Sequence, residues 1–378
     1  MRAKKIIDLF YSKMEVFDKK IKKGRKAIVF NLIAPFLIFG LFGSLSAALP
    51  GCSEKNEKVE LDFWNVYDDS DILNPLIQEF RKEYPNVSIN YYKKTPAGYE
   101  TELVNALAAG RGPDVFAIHN TWLPKHIDKL QPMTDKNLMT LQSFRDSFVD
   151  VVYNDFVAAP PSSGSGQTSS EQIYGVALFV DTLALYWNKS ILNSAGIAEP
   201  PGNWHEFSDA VEKLTKRDEE KNITLAGAAI GGSKNINRAT DILALLMMQT
   251  GAKMTDNERN QASFDESVSA GDQNYQPGAD SLRFYTDFSN PSKKVYTWNE
   301  KMHYSIDAFV EGKAAMMINY AYHINTIRAK DPHLQFGVAP VPQPKDAKNL
   351  ISFANYWGLG VSAASTAAEK KYAWIFLN

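Results

Sequence analysis

The stretch Val59–Tyr92, VELDFWNVYDDSDILNPLIQEFRKEYPNVSINYY, decides the fold of this 378-residue chain. Val59 to Trp64 alternates apolar and polar residues, as a half-buried strand does. Asn65 to Asp71 is a polar loop. From Ile72 to Tyr84 the apolar residues Leu73, Leu76, Ile77 and Phe80 return at helical spacing, and Pro85-Asn86 stops the helix. Val87 to Tyr92 reads as a second strand. Tyr99 to Ala109 is again amphipathic, through Leu103, Ala106 and Leu107, and Gly110 ends it. Val115 to Ile118 is a third strand, entered through Gly112-Pro113-Asp114. Strand and helix in alternation predict a parallel α/β sheet.

Further along, Ala158 to Ser170 is almost wholly Pro, Ser, Gly, Ala and Thr, the composition of a surface insertion. Strands follow over Ile173–Phe179 and Leu183–Trp187, with helices over Trp204–Leu214 and Thr240–Thr250. Later come a buried strand at Ala314–Asn319, short strands at Phe336–Ala339 and Gly358–Val361, and a helix from Ala367 to Leu377. No internal repeat is present.

The amino terminus is built differently. Met1 to Lys26 carries ten Lys/Arg against three Asp/Glu, and Ala27 to Ala48 carries no charge. The apolar run closes on Leu49-Pro50-Gly51-Cys52, which holds the only cysteine of the chain. Basic, apolar and small-residue regions in that order are the parts of a secretory signal. The Leu and Gly before Cys52 make it resemble a bacterial lipoprotein signal, in which residues 1–51 are removed and Cys52 is lipidated. An uncleaved anchor is the alternative, since about 20 apolar residues span a bilayer. Either reading places the rest of the chain outside the cytoplasmic membrane and attached to it.

Without that basic segment the net charge of −2 becomes −9, an acidic body unsuited to nucleic acid. The 326 residues beyond Cys52 are enough for two domains. No catalytic signature is present: neither a Gly-x-Ser-x-Gly elbow, nor His-Glu-x-x-His, nor a phosphate-cradling glycine loop, nor a dinucleotide fingerprint. The six His have no metal-ligand spacing, and His119 and His126 read as ordinary hydrogen-bonding residues. No cofactor is expected. Glu100 and Asp181 lie near aromatics, and such carboxylates serve glycoside hydrolysis or bind sugar hydroxyls without reacting.

The order of segments carries a resemblance. Leu61-Asp-Phe-Trp64, Leu76-Ile-Gln-Glu-Phe-Arg-Lys-Glu-Tyr-Pro-Asn-Val87 and Ala108-Ala-Gly-Arg-Gly-Pro-Asp-Val115 come first. Leu185-Tyr-Trp-Asn-Lys189 and Ala195-Gly-Ile-Ala-Glu-Pro-Pro-Gly-Asn-Trp204 follow. Ala308-Phe-Val-Glu-Gly-Lys-Ala-Ala-Met316, Gly337-Val-Ala-Pro340 and Tyr356-Trp-Gly-Leu-Gly-Val361 complete the set. In this order they resemble the bacterial extracellular solute-binding proteins of family 1, the carbohydrate-binding components of ABC importers. The resemblance covers the chain after Cys52. It implies an α/β, two-lobed periplasmic-binding-protein-like fold of type II, with a ligand cleft between lobes and a hinge crossed more than once. Lobe 1 would be 52–180 with 338–378 returning to it, and lobe 2 would be 181–337. Members continue with further lobe 2 helices beyond the point matched by Asn378. The implied partners are a carbohydrate and the permease subunits of an ABC importer, with the receptor a monomer. A ferric-ion receptor using Tyr320 and Tyr322, or a secreted glycosidase using Asp181 and Glu100, are the alternatives.

A sugar presents apolar C–H faces ringed by hydroxyls, so its cleft pairs flat aromatics with Asp, Glu and Asn side chains. In an α/β lobe, ligands sit at the carboxyl ends of strands. The candidates there are Asn65, Tyr67 and Asp68 after the first strand, with Asn120 and Trp122 after the third. Asp181 stands at the proposed crossover, Tyr320 and Tyr322 follow the buried strand, and Tyr356 and Trp357 open the late one. Glu100 is a candidate at a helix start, where the dipole favours a carboxylate in any case. Trp187, like Trp64, lies within a strand, where core and cleft are both open. For Asp181 a turn-forming role is the alternative. Trp204 and Trp374 read as structural.

Overall fold

The structure is a computed structural model that describes residues 57–160, 170–256, 261–270 and 273–378. Cys52, the basic and apolar segments before it and most of the expected insertion after Ala158 lie outside the described residues.

The first lobe begins with β1 (Val59–Asn65), α1 (Ser70–Glu83), β2 (Val87–Lys93), α2 (Tyr99–Ala108) and β3 (Val115–His119). Val59, Leu61 and Phe63 of β1 point inward and are buried, which is why the strand alternates. β1 pairs in parallel with β2 on one side and β3 on the other. In α1 the buried residues are Leu73 and Ile77, whereas Leu76 remains exposed. Gly98 and Gly110 bracket α2 at φ values of 78° and 66°, a left-handed backbone that costs glycine little. After α3 (Asp150–Phe156), the strand expected over Ile173–Phe179 is broken in two: Gln172–Ile173 pairs with Val157–Ala158, and β4 (Val176–Ala177) joins the main sheet.

The second lobe is organised on β5 (Asp181–Asn188). Helices α4 (Trp204–Leu214) and α5 (Ala239–Gln249) follow, then β6 (Met316–Tyr320), α6 (His323–Lys330) and β7 (Phe336–Pro340). β6 and β7 flank β5, both antiparallel to it. Trp204 is buried here against Phe207 and Phe284, and its indole N–H donates to Gln249 at 2.6 Å. Gln249 in turn donates to the carbonyls of Pro342 and Ile351, which fastens the proline-rich loop to this lobe.

The chain returns through β8 (Ala354–Asn355), β9 (Trp357–Val361) and α7 (Ala367–Leu377). β9 enters the first sheet antiparallel to β3, and β4 adds to its other side, giving the strand order β2-β1-β3-β9-β4. The expected all-parallel sheet is therefore mixed: the returning chain supplies β9, its one antiparallel strand. Helix α7 packs on the first core through Ala373 and Trp374, with Phe376 edge-on to Phe63 and Phe80.

Two separate cores result. One gathers residues from Val59 to Val176 and from Tyr356 to Trp374, and the other residues from Leu183 to Val341. The crossing segments lie side by side, with Asn355 paired to Asp181 and Ala354 to Thr182. The return expected at residue 338 falls later. β7 pairs along β5, and Val341, Ile351 and Phe353 pack in the second core, so residues 338–353 stay with lobe 2.

Candidate binding cleft

On the first lobe the carboxyl ends of β1 and β3 and the start of β9 converge. Trp357 is the centre of the group. Its ring lies 5.0 Å from Trp122, 5.2 Å from His119, 5.8 Å from Tyr99 and 6.1 Å from Tyr67, all near edge-to-face. Trp122 also stacks on Tyr99, whose hydroxyl donates to the carbonyl of Ala117 and is buried. The aromatic wall is thus anchored to β3 from behind, while Tyr67 is half exposed in front.

The polar candidates of this lobe divide into two kinds. Asn65 is buried; it donates to Asp68 at 3.0 Å and accepts from the Val66 amide, so it shapes the loop that presents Tyr67. Asn120 and Tyr356 both donate to the Asp155 carboxylate, at 3.0 and 2.8 Å. Tyr356 is 1 % exposed, and burial pushes its phenol well above the ordinary range. It braces the wall and offers no surface to a ligand, contrary to expectation. Glu100 lies behind Trp122. It accepts from Lys125 at 2.7 Å, with His126 Nε2 at 2.8 Å, and these bonds hold its carboxyl below the usual range.

On the second lobe, Asp181 uses both carboxylate oxygens: Oδ1 accepts from the Ala321 amide at 2.9 Å and Oδ2 from the Tyr322 amide at 3.2 Å. It ties the start of β5 to the turn after β6. Its partners are not in its own turn, so the local turn role does not apply. That turn carries Tyr320 and Tyr322, stacked at 6.2 Å with their planes 13° apart. Tyr320 is buried and donates to Asp241 at 2.7 Å; Tyr322 is half exposed and accepts from Arg238 at 3.2 Å. Trp187 is at the far end of β5, paired with Met316 and Gly337. Its indole covers Gly337 so closely that a Cβ there would lie 2.5 Å from Nε1. The structure does not bring Trp187 to the cleft.

Groups of the second wall lie close enough to act electrostatically on the first. Burial raises the pKa of Tyr67, reinforced by Tyr322 and opposed by Arg238, both on the second lobe. Burial lowers that of His119, with Asn355 opposing and Arg238 adding to the effect. His119 Nε2 lies 3.2 Å from Oδ1 of Asn355, on the return crossing. Arg238, Asp241, His119, Asn355 and His323 therefore belong to the region. His119 reads from the sequence as an ordinary hydrogen-bonding residue, and of the other four only Arg238 and Asp241, charged positions at the start of the otherwise apolar α5, leave a signal there. Among the described residues no group of three or more His, Cys, Asp or Glu is placed to hold a metal ion.

Two α/β lobes joined by paired crossings, with polar and aromatic residues at the seam, define a solute-binding architecture. The sequence profile of the bacterial extracellular solute-binding proteins matches residues 66–378, and the chain belongs to that family, whose members bind solutes and are not enzymes. It is similar to the Multiple sugar-binding protein of Streptococcus mutans, 23 % identical over 338 residues, covering 86 % of this chain and 74 % of that protein. It is also similar to the Maltotriose-binding protein of Pyrococcus abyssi, at 24 % identity over 81 % of this chain; the chain spans 58 % of that protein's length. An ABC substrate-binding protein from Listeria monocytogenes, solved in complex with cycloalternan, shares the fold with a TM-score of 0.61. The identity is 17 %, over 85 % of this chain and 75 % of that one.

Proposed function

We propose that this chain is the receptor of an ABC importer, lipid-anchored through Cys52, which captures a sugar or oligosaccharide between its lobes and delivers it to membrane permease subunits. One observation carries the reading: the aromatic wall around Trp357 on one lobe lies within electrostatic reach of the Tyr322–Arg238 pair on the other. Flat rings suit the C–H faces of a pyranose, and the polar groups opposite suit its hydroxyls. Ligand touching both walls stabilises the closed arrangement, because only that arrangement contacts it from both sides. The similarity to sugar-binding relatives supports the same class of ligand.

The test is a thermal-shift screen of the purified chain against neutral and acidic di- to tetrasaccharides, followed by titration calorimetry. A saccharide that raises the melting temperature and is recovered intact supports the reading. Cleavage of the sugar, or no response to any saccharide, overturns it. The anchor is tested separately: Cys52→Ser should abolish lipid labelling and release the protein from the membrane fraction.

A further inference from the structure

Seven buried side-chain polar atoms without a hydrogen-bond partner occur among the described residues. Three of them belong to Arg238 and His323, which adjoin Tyr322 on the lobe 2 wall. The Arg238 guanidinium lies 5.3 Å from the centre of the Tyr320 ring and donates to the Tyr322 hydroxyl. His323 follows Tyr322, with the two rings 4.1 Å apart. An unmet buried donor or acceptor is costly to folding, so unpaired groups at a cleft wall call for an occupant.

The cluster has more donors than acceptors. The Nε–H of Arg238 is a free donor. His323 is neutral near pH 7, so its ring supplies one of each. Arg238 adds a full positive charge, and its hydrogen bond goes to a neutral phenol. Two acids are near and keep their charge, Asp241 accepting from Tyr320 and Asp181 from two backbone amides, but among the described residues neither forms an ion pair with the guanidinium. Arg238 also sits at φ 62°, a left-handed conformation unfavourable for a long side chain. Keeping arginine there puts the guanidinium at this wall at a backbone cost, and such strain gathers at ligand clamps.

We propose that Arg238 and the free ring of His323 beside it form a subsite for a uronic acid, the carboxylate of which meets the guanidinium. The inference rests on the sugar-binding reading above and narrows its ligand to an acidic saccharide. A carboxylate is the group that a planar guanidinium fork recognises best, and a hydroxyl in the same place forgoes the charge-assisted bond.

Titration calorimetry with matched pairs tests this: digalacturonic acid against galactobiose, and cellobiouronic acid against cellobiose. The acidic member of at least one pair should bind roughly tenfold to a hundredfold more tightly, the scale of a charge-assisted hydrogen bond. That advantage should shrink with added salt and vanish in Arg238→Gln. Arg238→Gly guards against misfolding, since glycine relieves the left-handed backbone; it should melt no lower than the parent and lose the same preference. Neutral sugars binding as tightly as acidic ones, or a preference that survives both substitutions, would overturn the proposal while leaving sugar binding intact. Failure of every saccharide, neutral or acidic, sinks the underlying reading and this one with it.

Discussion

Trp357 and Asp181 show how far a residue's type determines its role. Trp357 makes four aromatic contacts at the end of a sheet, yet it is only partly buried. Replacing it with Ala should weaken sugar binding by about 1–3 kcal/mol, the worth of a well-packed aromatic face. Folding should suffer less than in Trp374→Ala. Calorimetric titration and melting of the two variants check both halves; normal binding by a destabilised Trp357→Ala would return the residue to the core. Asp181 is different. The sequence marks it as a candidate sugar contact, but the carboxylate accepts from two amides of the turn that bears Tyr322. Asparagine has one oxygen to offer, and its amide would face a backbone donor. The expected outcome is a loss of about 1–2 kcal/mol in stability from the unmet amide, measured by denaturant titration without ligand. Full stability with lost affinity would restore the direct sugar contact.

At the scale of elements, the patterns that were legible are those fixed by local periodicity. β1, α1, β2 and α2 fall where alternation and helical spacing place them, because one face of each is buried in the same core, and β3 stands out as a short apolar run because both of its faces are buried. What was not legible depends on contacts between distant parts. The late return of the chain is set by Gln249 fastening Pro342 and Ile351, and no pattern within 338–353 announces it. Tyr356 and Trp357 are adjacent, but strand geometry turns them to opposite sides, one to Asp155 and one to the aromatic wall. Trp187 was misplaced for the same reason: a strand eight residues long carries its two ends to different surroundings. Helix α7 offers a test at this level. Thr366 and Glu369 form a capping box at its start, and Trp374 is 4 % exposed in the lobe 1 core. Thr366→Ala should cost about 1 kcal/mol and Trp374→Ala about 3–5 kcal/mol. Urea melts check the order; equal effects would mean that α7 is held by something other than its buried face.

For the whole molecule, stability and the cleft meet at one titratable group. The His323 ring lies against Tyr322, near Arg238 and Asp181, and is 7 % exposed. Burial, aided by Arg238 and opposed by Asp181, pushes its pKa down to about 4 from the usual 6.5. The folded chain therefore resists a proton that the unfolded chain accepts. Between pH 6.5 and about 4 the unfolded state binds more protons, so stability rises with pH across that window. The contribution is fully present above pH 6.5 and is lost as pH falls through the folded value. His119, lowered by burial in the opposite wall, adds to the slope in the same sense. Because both rings lie at the seam, acid should loosen the contact between the lobes before it reaches either core. Melting temperatures of the parent chain should fall steeply from pH 7 to pH 4.5, and those of His323→Gln less steeply, since glutamine has no proton to gain. Parallel curves for the two proteins would show that His323 titrates as freely in the folded state as in the unfolded one, and the buried, neutral imidazole at the lobe 2 wall would have to be given up.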